Sequence, residues 1–95
     1  MDTLTEILSA RAKTHGDYAT HASCAQGIKR VIAQHTDTSR MTPSEHEALD
    51  MIAHKIGRIA AGNPHFEDHW RDIAGYATLV ADRLKIDGTW LEETR

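Results

Sequence analysis

Two pairs of carboxylates have the spacing in this sequence that could support chemistry. Glu47 and Asp50 lie three residues apart, and Asp68 and Asp72 lie four apart, so each pair projects from one side of a helix. If the two helices are adjacent and antiparallel, the pairs reach similar heights, at a rise of about 1.5 Å per residue. Four carboxylates at one level repel one another unless a cation neutralises them, and oxygen ligands favour Mg²⁺ or Mn²⁺. The spacing predicts such a metal site, although any solvated helix face can carry the same pairs.

Three basic side chains accompany the first acidic pair. At about 100° per residue, His54 and Arg58 share a stripe with Glu47 and Asp50, and Lys55 lies beside it. His54 could act as a catalytic base toward a bound water, and the alternative is an ordinary surface histidine. Lys55 and Arg58 could bind the phosphate of a substrate, or pair with acids on a neighbouring helix. A metal ion nearby would polarise that phosphate and position the attacking water.

The stretch His15-Gly-Asp-Tyr18 has the composition of a corner between two helices. Gly16 supplies the left-handed conformation with which helices often end, and Asp17 can cap the helix that follows. Tyr18 either packs inward or lines the mouth of the helices, where it could contact a substrate.

The last long helix also carries a pair of histidines and an apolar residue on its acidic stripe. His65 and His69 are four residues apart and form a possible transition-metal pair, with no third ligand evident in the sequence. Gly75 and Leu79 share the stripe of Asp72. An apolar residue and a glycine at these positions predict that this side is partly covered and that another backbone approaches it closely.

Helices must position all of these residues, because no segment alternates at the period of a strand. The pattern predicts four helices and a short C-terminal tail, at about 3–14, 18–34, 43–61, 66–86 and 87–95. Thr42-Pro-Ser-Glu45 is a capping box with proline at the first helical position, and Pro64 ends the third helix at the turn before the fourth. We expect one all-α domain over 1–95, an up-and-down four-helix bundle in which Trp70 is a core residue.

Composition narrows the classes of function. The chain has 95 residues, a net charge of -3 and one cysteine, so nothing favours a nucleic-acid polymer or a cysteine metal site. No apolar run approaches the roughly 20 residues of a membrane span, and we expect a cytoplasmic protein. A chain of this length has a thin core, which predicts a homo-oligomer. Trp90 and Leu91 in the tail could dock on the bundle or reach a second subunit.

Three stretches resemble a known family: H-G-D-Y at 15–18, E-A-L-D-M-I-A-H-K-I-G-R at 47–58 and W-R-D-I-A-G-Y-A-T-L at 70–79. They are similar to small phage and prophage proteins that share a domain of unknown function. The G-D-Y, K-x-x-R and D-I-A-G-Y elements also resemble a phage domain associated with nucleotide modification. The resemblance covers about residues 10–85.

More distantly, the acidic pairs resemble those of the MazG-like all-α NTP pyrophosphatases. In that family an E-x-x-E pair and an E-x-x-D pair coordinate Mg²⁺, and the enzyme hydrolyses a nucleoside triphosphate to the monophosphate and pyrophosphate. The resemblance implies that Glu47 and Asp50 form the first pair and that Asp72 ends the second. The position three residues before Asp72 is His69, so Asp68 would replace the missing acid.

Two functions follow as hypotheses. The first is a Mg²⁺- or Mn²⁺-dependent nucleotide pyrophosphohydrolase, or a nucleotide-binding protein, with Lys55, Arg58 and Tyr18 on the substrate. The second is a non-catalytic oligomeric accessory module of a phage or prophage, which binds a nucleotide or another protein.

Overall fold

The structure, a computed structural model, describes residues 3–87, and this part of the chain is all-helical, with four α-helices and no strand. The helices are α1 (Thr3–His15), α2 (Tyr18–His35), α3 (Pro43–Ala61) and α4 (Glu67–Asp87), with a short 3₁₀ helix at Thr38–Arg40 between α2 and α3. Each end of the four long helices lies within one residue of its predicted position. Within the described range, no helix is long and apolar enough to cross a membrane.

Local chemistry explains where the helices begin and end. The hydroxyl of Thr42 accepts from the Glu45 amide at 3.2 Å, and the Glu45 carboxylate accepts from the Thr42 amide at 2.7 Å, so the predicted capping box is confirmed. Asp17 caps α2 by accepting from the Thr20 amide at 3.1 Å. Gly16 has a φ of 81°, as the corner motif predicts.

Helix α3 lies between α2 and α4 and packs along both. Within the described residues α2 and α4 do not approach each other, so α2, α3 and α4 form a layer with α3 in the middle. Helix α1 packs against α2 and α3. One long side of α4 therefore has no neighbouring helix in this part of the chain.

The core of this layer is thin. The buried apolar residues between 3 and 87 are Ala25, Ala48 and Ala53, and none of the larger apolar side chains in this range is buried. Full burial of a leucine-sized side chain contributes about 1.5–3 kcal/mol, and half-buried side chains contribute correspondingly less. A single copy therefore gains little of the apolar stabilisation that its sequence offers.

Two predictions about α4, a buried Trp70 and a covered stripe at Gly75 and Leu79, are wrong for a single copy of the chain. Trp70 was expected in the core but is 54% exposed, and its indole N–H donates to the Pro64 carbonyl at 2.8 Å in the turn before α4. Leu79 is 68% exposed, and a Cβ built on Gly75 would meet nothing within 4 Å, so within residues 3–87 nothing covers Leu79 and no backbone approaches Gly75 closely. Trp90 and Leu91 lie outside the described residues.

Candidate functional site

The corner between α1 and α2 touches the end of α3 backbone to backbone. A Cβ on Gly16 would overlap the carbonyl group of Ala61, and a Cβ on Gly62 would overlap the carbonyl oxygen of Thr14. These two glycines have no side chain to keep the segments apart. The sequence H-G-D-Y thereby fixes the first turn of α2 against the turn that joins α3 to α4.

The Thr14 carbonyl oxygen holds this junction together. It accepts from the Asn63 amide at 3.0 Å and pairs with Nε2 of His69 at 3.0 Å. Since a carbonyl can only accept, Nε2 of His69 carries the proton. His69 is 1% exposed and its ring packs against His15 and Phe66, so it has a structural role. The predicted metal pair of His65 and His69 would compete with this hydrogen bond for Nε2.

A second close approach brings two histidines together across α2 and α3. A Cβ on Gly57 would lie 2.7 Å from Cδ2 and 2.9 Å from the carbonyl oxygen of His21, and 3.3 Å from the Ala25 side chain. Because Gly57 has no Cβ, α2 can lie against α3 here. The ring of His21 then stands edge to face on the ring of His54, with their centroids 4.4 Å apart.

These two junctions border a cavity of about 380 Å³ where α1, α2 and α3 meet. Its polar lining comes from Arg11 and His15 on α1, Tyr18 and His21 on α2, and His54 and Arg58 on α3. Asp17 is the one acidic residue of the lining, and its Oδ2 accepts hydrogen bonds from the amide and the hydroxyl of Thr20. The first turn of α2, with its positive dipole end, faces the same space.

The two arginines of the cavity repel each other. Burial, and then the charge of Arg11, lower the pKa of Arg58, while the charges of Asp72 and Tyr76 raise it. Between residues 3 and 87 neither arginine forms an ion pair. Nε of Arg58 is buried without a hydrogen-bond partner in the described structure. Two guanidinium groups at one cavity that lack an ion-pair partner within this range favour an anion.

The three histidines of the cavity are neutral at neutral pH. Burial is the largest cause that lowers the pKa of His15, His21 and His54, and the charge of Arg58 is the second. The pKa of His54 falls to about 4. His21 is 4% exposed, and its Nε2 has no partner among the described residues. Because these three imidazoles are neutral, they add no positive charge to that of the two arginines.

The structure brings three of the predicted site residues to this cavity and keeps a fourth away. Tyr18, His54 and Arg58 line it. Lys55, which was predicted to bind phosphate with Arg58, instead places Nζ 2.8 Å from Oδ2 of Asp72. That ion pair joins α3 to α4, and the hydrogen bond from Lys55 holds the pKa of Asp72 below its usual value.

The other predicted metal ligands lie apart from this ion pair. Glu47 lines an open groove between α3 and α4 with Tyr76. Oδ2 of Asp50 is 3.8 Å from Nδ1 of His46, and Asp68 is exposed in the first turn of α4. No three His, Cys, Asp or Glu side chains within 3–87 are grouped as a metal site would require.

Sequence reasoning missed three lining residues: Arg11, His15 and His21. Arg11 and His15 are four apart on α1, and Tyr18 and His21 are three apart on α2, so both pairs share a helix face. The H-G-D-Y corner joins those two faces. Combining the corner with these spacings would have pointed to the same cavity.

Comparison with known proteins identifies the family but no function. A model of the family described as "Domain of unknown function (DUF6378)" matches residues 1–84, which is most of the chain. No curated protein matches the sequence. No solved structure matches it. The chain therefore belongs to the DUF6378 family of domains of unknown function.

Proposed function

We propose that this protein binds a phosphate-bearing small molecule, most simply a nucleotide, in the cavity between α1, α2 and α3. The observation that carries the proposal is that Arg11 and Arg58 face one cavity with no ion-pair partner in the described chain. A guanidinium group offers a planar fork of donors that matches phosphate oxygens. A dianionic phosphate between the two arginines would remove their mutual repulsion.

The uncharged part of the cavity lining suits the part of the ligand that carries no phosphate. Its volume of about 380 Å³ is within the range of small-molecule pockets. The buried and unpartnered Nε2 of His21 offers a hydrogen-bonding group inside it. Tyr18 is 77% exposed at the rim, where its ring is free to stack on a nucleobase. These features support a ligand with an anionic end inside and a flat group at the mouth.

Isothermal titration calorimetry with pyrophosphate and with nucleoside mono-, di- and triphosphates tests this proposal. Arg11→Gln and Arg58→Gln should each weaken binding by about tenfold or more, since one charge-assisted hydrogen bond contributes about 1.5–3 kcal/mol. Arg71→Gln is the matched control, because Arg71 pairs with Glu67 on the exposed side of α4. Failure of the wild-type protein to bind any phosphate compound, or equal losses in all three variants, would rule the site out.

A second candidate is metal-dependent hydrolysis of the same nucleotide, as in the MazG-like enzymes. It is favoured by the spacing of the acidic pairs, Glu47 with Asp50 on α3 and Asp68 with Asp72 on α4. Within one copy, however, the four carboxylates Glu47, Asp50, Asp68 and Asp72 do not fit a shared Mg²⁺ or Mn²⁺ ion, because Asp72 pairs with Lys55 and no ligand group forms in the described residues.

Manganese titration followed by electron paramagnetic resonance tests this second candidate. Hydrolysis would be supported if the wild-type protein binds Mn²⁺ together with nucleotide and the Glu47→Gln and Asp50→Asn variants do not. Release of pyrophosphate by the wild-type protein would then establish it. His54 would be the base in such a reaction, and His54→Gln should abolish release while nucleotide binding persists. Binding of nucleotide without Mn²⁺ and without turnover would leave a binding protein. A phage or prophage setting stays a prediction.

A further inference from the structure

We propose that the apolar surface formed by α3 and α4 is covered by a second copy of this chain. This surface, hereafter the α3/α4 face, consists of Leu49, Ile52 and Ile56 on α3 and Ala77 and Val80 on α4. Four of the five line one cavity of about 330 Å³. Ile56 follows Ile52 by one helical turn on the same side and is 38% exposed. The inference is independent of the proposed phosphate site.

The thin core is the first reason to expect that this face is covered. The buried apolar residues of the described chain are three alanines, and the large apolar side chains are all half-buried or exposed. Burial on this scale leaves a single copy little apolar free energy to set against the conformational entropy that a chain of this length loses on folding. A cover that is present permanently would supply the missing burial. A second copy of the chain is always present at the same concentration as the first. Symmetric homo-oligomers are also the commonest permanent assemblies.

The α3/α4 face has the shape that a two-fold partner needs. Helix α4 presents a row of exposed alanines, Ala74, Ala77 and Ala81, whereas α3 presents branched side chains. In a two-fold arrangement the α3 of one copy lies over the α4 of the other, so large side chains meet small ones in both halves. The long side of α4 that lacks a helix neighbour would then gain one.

The charges at this face favour an apolar partner. Glu45 is the charged residue of the cavity lining, and its carboxylate is held by the Thr42 amide at 2.7 Å in the cap of α3. No basic residue lines the cavity. The surface therefore suits burial against its own apolar counterpart and does not suit an anionic polymer.

Size-exclusion chromatography with light scattering on the full chain tests the proposal. The wild-type protein should have twice the 10.6 kDa mass of one chain. Ala77→Glu places a charge at the centre of the face and should give the monomer mass at concentrations where wild type is dimeric. Ala33→Glu is the matched control, since Ala33 is exposed on α2, and it should stay dimeric. A wild-type monomer, or a dimer that Ala77→Glu leaves intact, would refute the assignment.

Two further measurements keep the test decisive if Ala77→Glu does not fold. Ile56→Ala places a good helix former in α3, so the helix should persist, and the dimer dissociation constant should rise at least tenfold. An unchanged dissociation constant would contradict the proposal. The thermal midpoint of the wild type should rise with protein concentration, and a midpoint independent of concentration would count against any permanent dimer. Trp90→Ala/Leu91→Ala should leave the mass unchanged. A monomer in that variant alone would assign the interface to the tail and overturn the α3/α4 face.

Discussion

Lys55 and Asp72 face each other across α3 and α4, with Nζ and Oδ2 2.8 Å apart. The lysine side chain is 11% exposed, whereas the aspartate side chain is 46% exposed. Each residue had been expected at a different part of a nucleotide site, Lys55 on phosphate and Asp72 on metal. Paired with each other, they instead hold α4 against α3. The proposed phosphate-binding role is thereby left to Arg58, whose pKa the charge of Arg11 lowers.

Removal of Asp72 and removal of Lys55 should lower the free energy of unfolding by different amounts. Asp72→Asn leaves the buried ammonium of Lys55 without its counter-charge, and Lys55→Met removes the charge but keeps the apolar stem. We expect Asp72→Asn to lower the urea midpoint more than Lys55→Met. Because the folded pKa of Asp72 is lowered, its contribution is complete above the unfolded pKa of about 3.9 and is lost as the pH falls below it. Equal midpoints in both variants at pH 7 would contradict the prediction.

Acidification should also act through the histidines of the cavity. The pKa of His54 is lowered to about 4 in the folded chain, so the folded state resists protonation more than the unfolded state. Stability should be greatest above pH 6.5 and fall as the pH drops from about 6.5 toward 4. A carbon-13 NMR titration should place the His54 midpoint near 4. His54→Gln should remove part of the pH dependence, and His15 and His21, whose pKa values are shifted in the same direction, should retain the rest.

Two glycine substitutions should have opposite effects. Gly57→Ala places a methyl group 2.7 Å from Cδ2 of His21, and overpacking of this kind costs about 1–3 kcal/mol of unfolding free energy. Gly75→Ala meets nothing within 4 Å in the same chain and should stabilise α4 by about 0.5–1 kcal/mol. Urea denaturation at one protein concentration measures both. Loss of stability in Gly75→Ala would mean that another molecule approaches that side of α4.

Tyr18 allows the two ends of the proposed ligand to be distinguished. If its exposed ring stacks on a base, Tyr18→Ala should weaken nucleotide binding by about 1–3 kcal/mol and leave pyrophosphate binding unchanged. Tyr18→Phe keeps the ring and should restore nucleotide binding. Calorimetry with both ligands provides the comparison. Equal losses for nucleotide and pyrophosphate would show that Tyr18 acts on the cavity and not on a base.

The sequence by itself determined the helices, because their signals are local. Asp17, Thr42 and Glu45 cap helices through atoms three residues away, and Gly16 ends α1 through its own backbone angle. Such interactions need no knowledge of the neighbouring helices. Three cavity residues, Tyr18, His54 and Arg58, could also be proposed, because residue type and helix face can be read from spacing along the chain.

Only the tertiary structure decided which charges meet. Lys55 and Arg58 are three residues apart, so their directions around α3 differ by about 60°, and a modest rotation of α3 decides which helix each one faces. That rotation is set by contacts between elements, chiefly the close approach of His21 to Gly57 and the pair of Lys55 with Asp72. It turns Lys55 toward α4 and Arg58 toward Arg11 on α1. Spacing along the chain gives the face of a helix, and packing decides what that face meets.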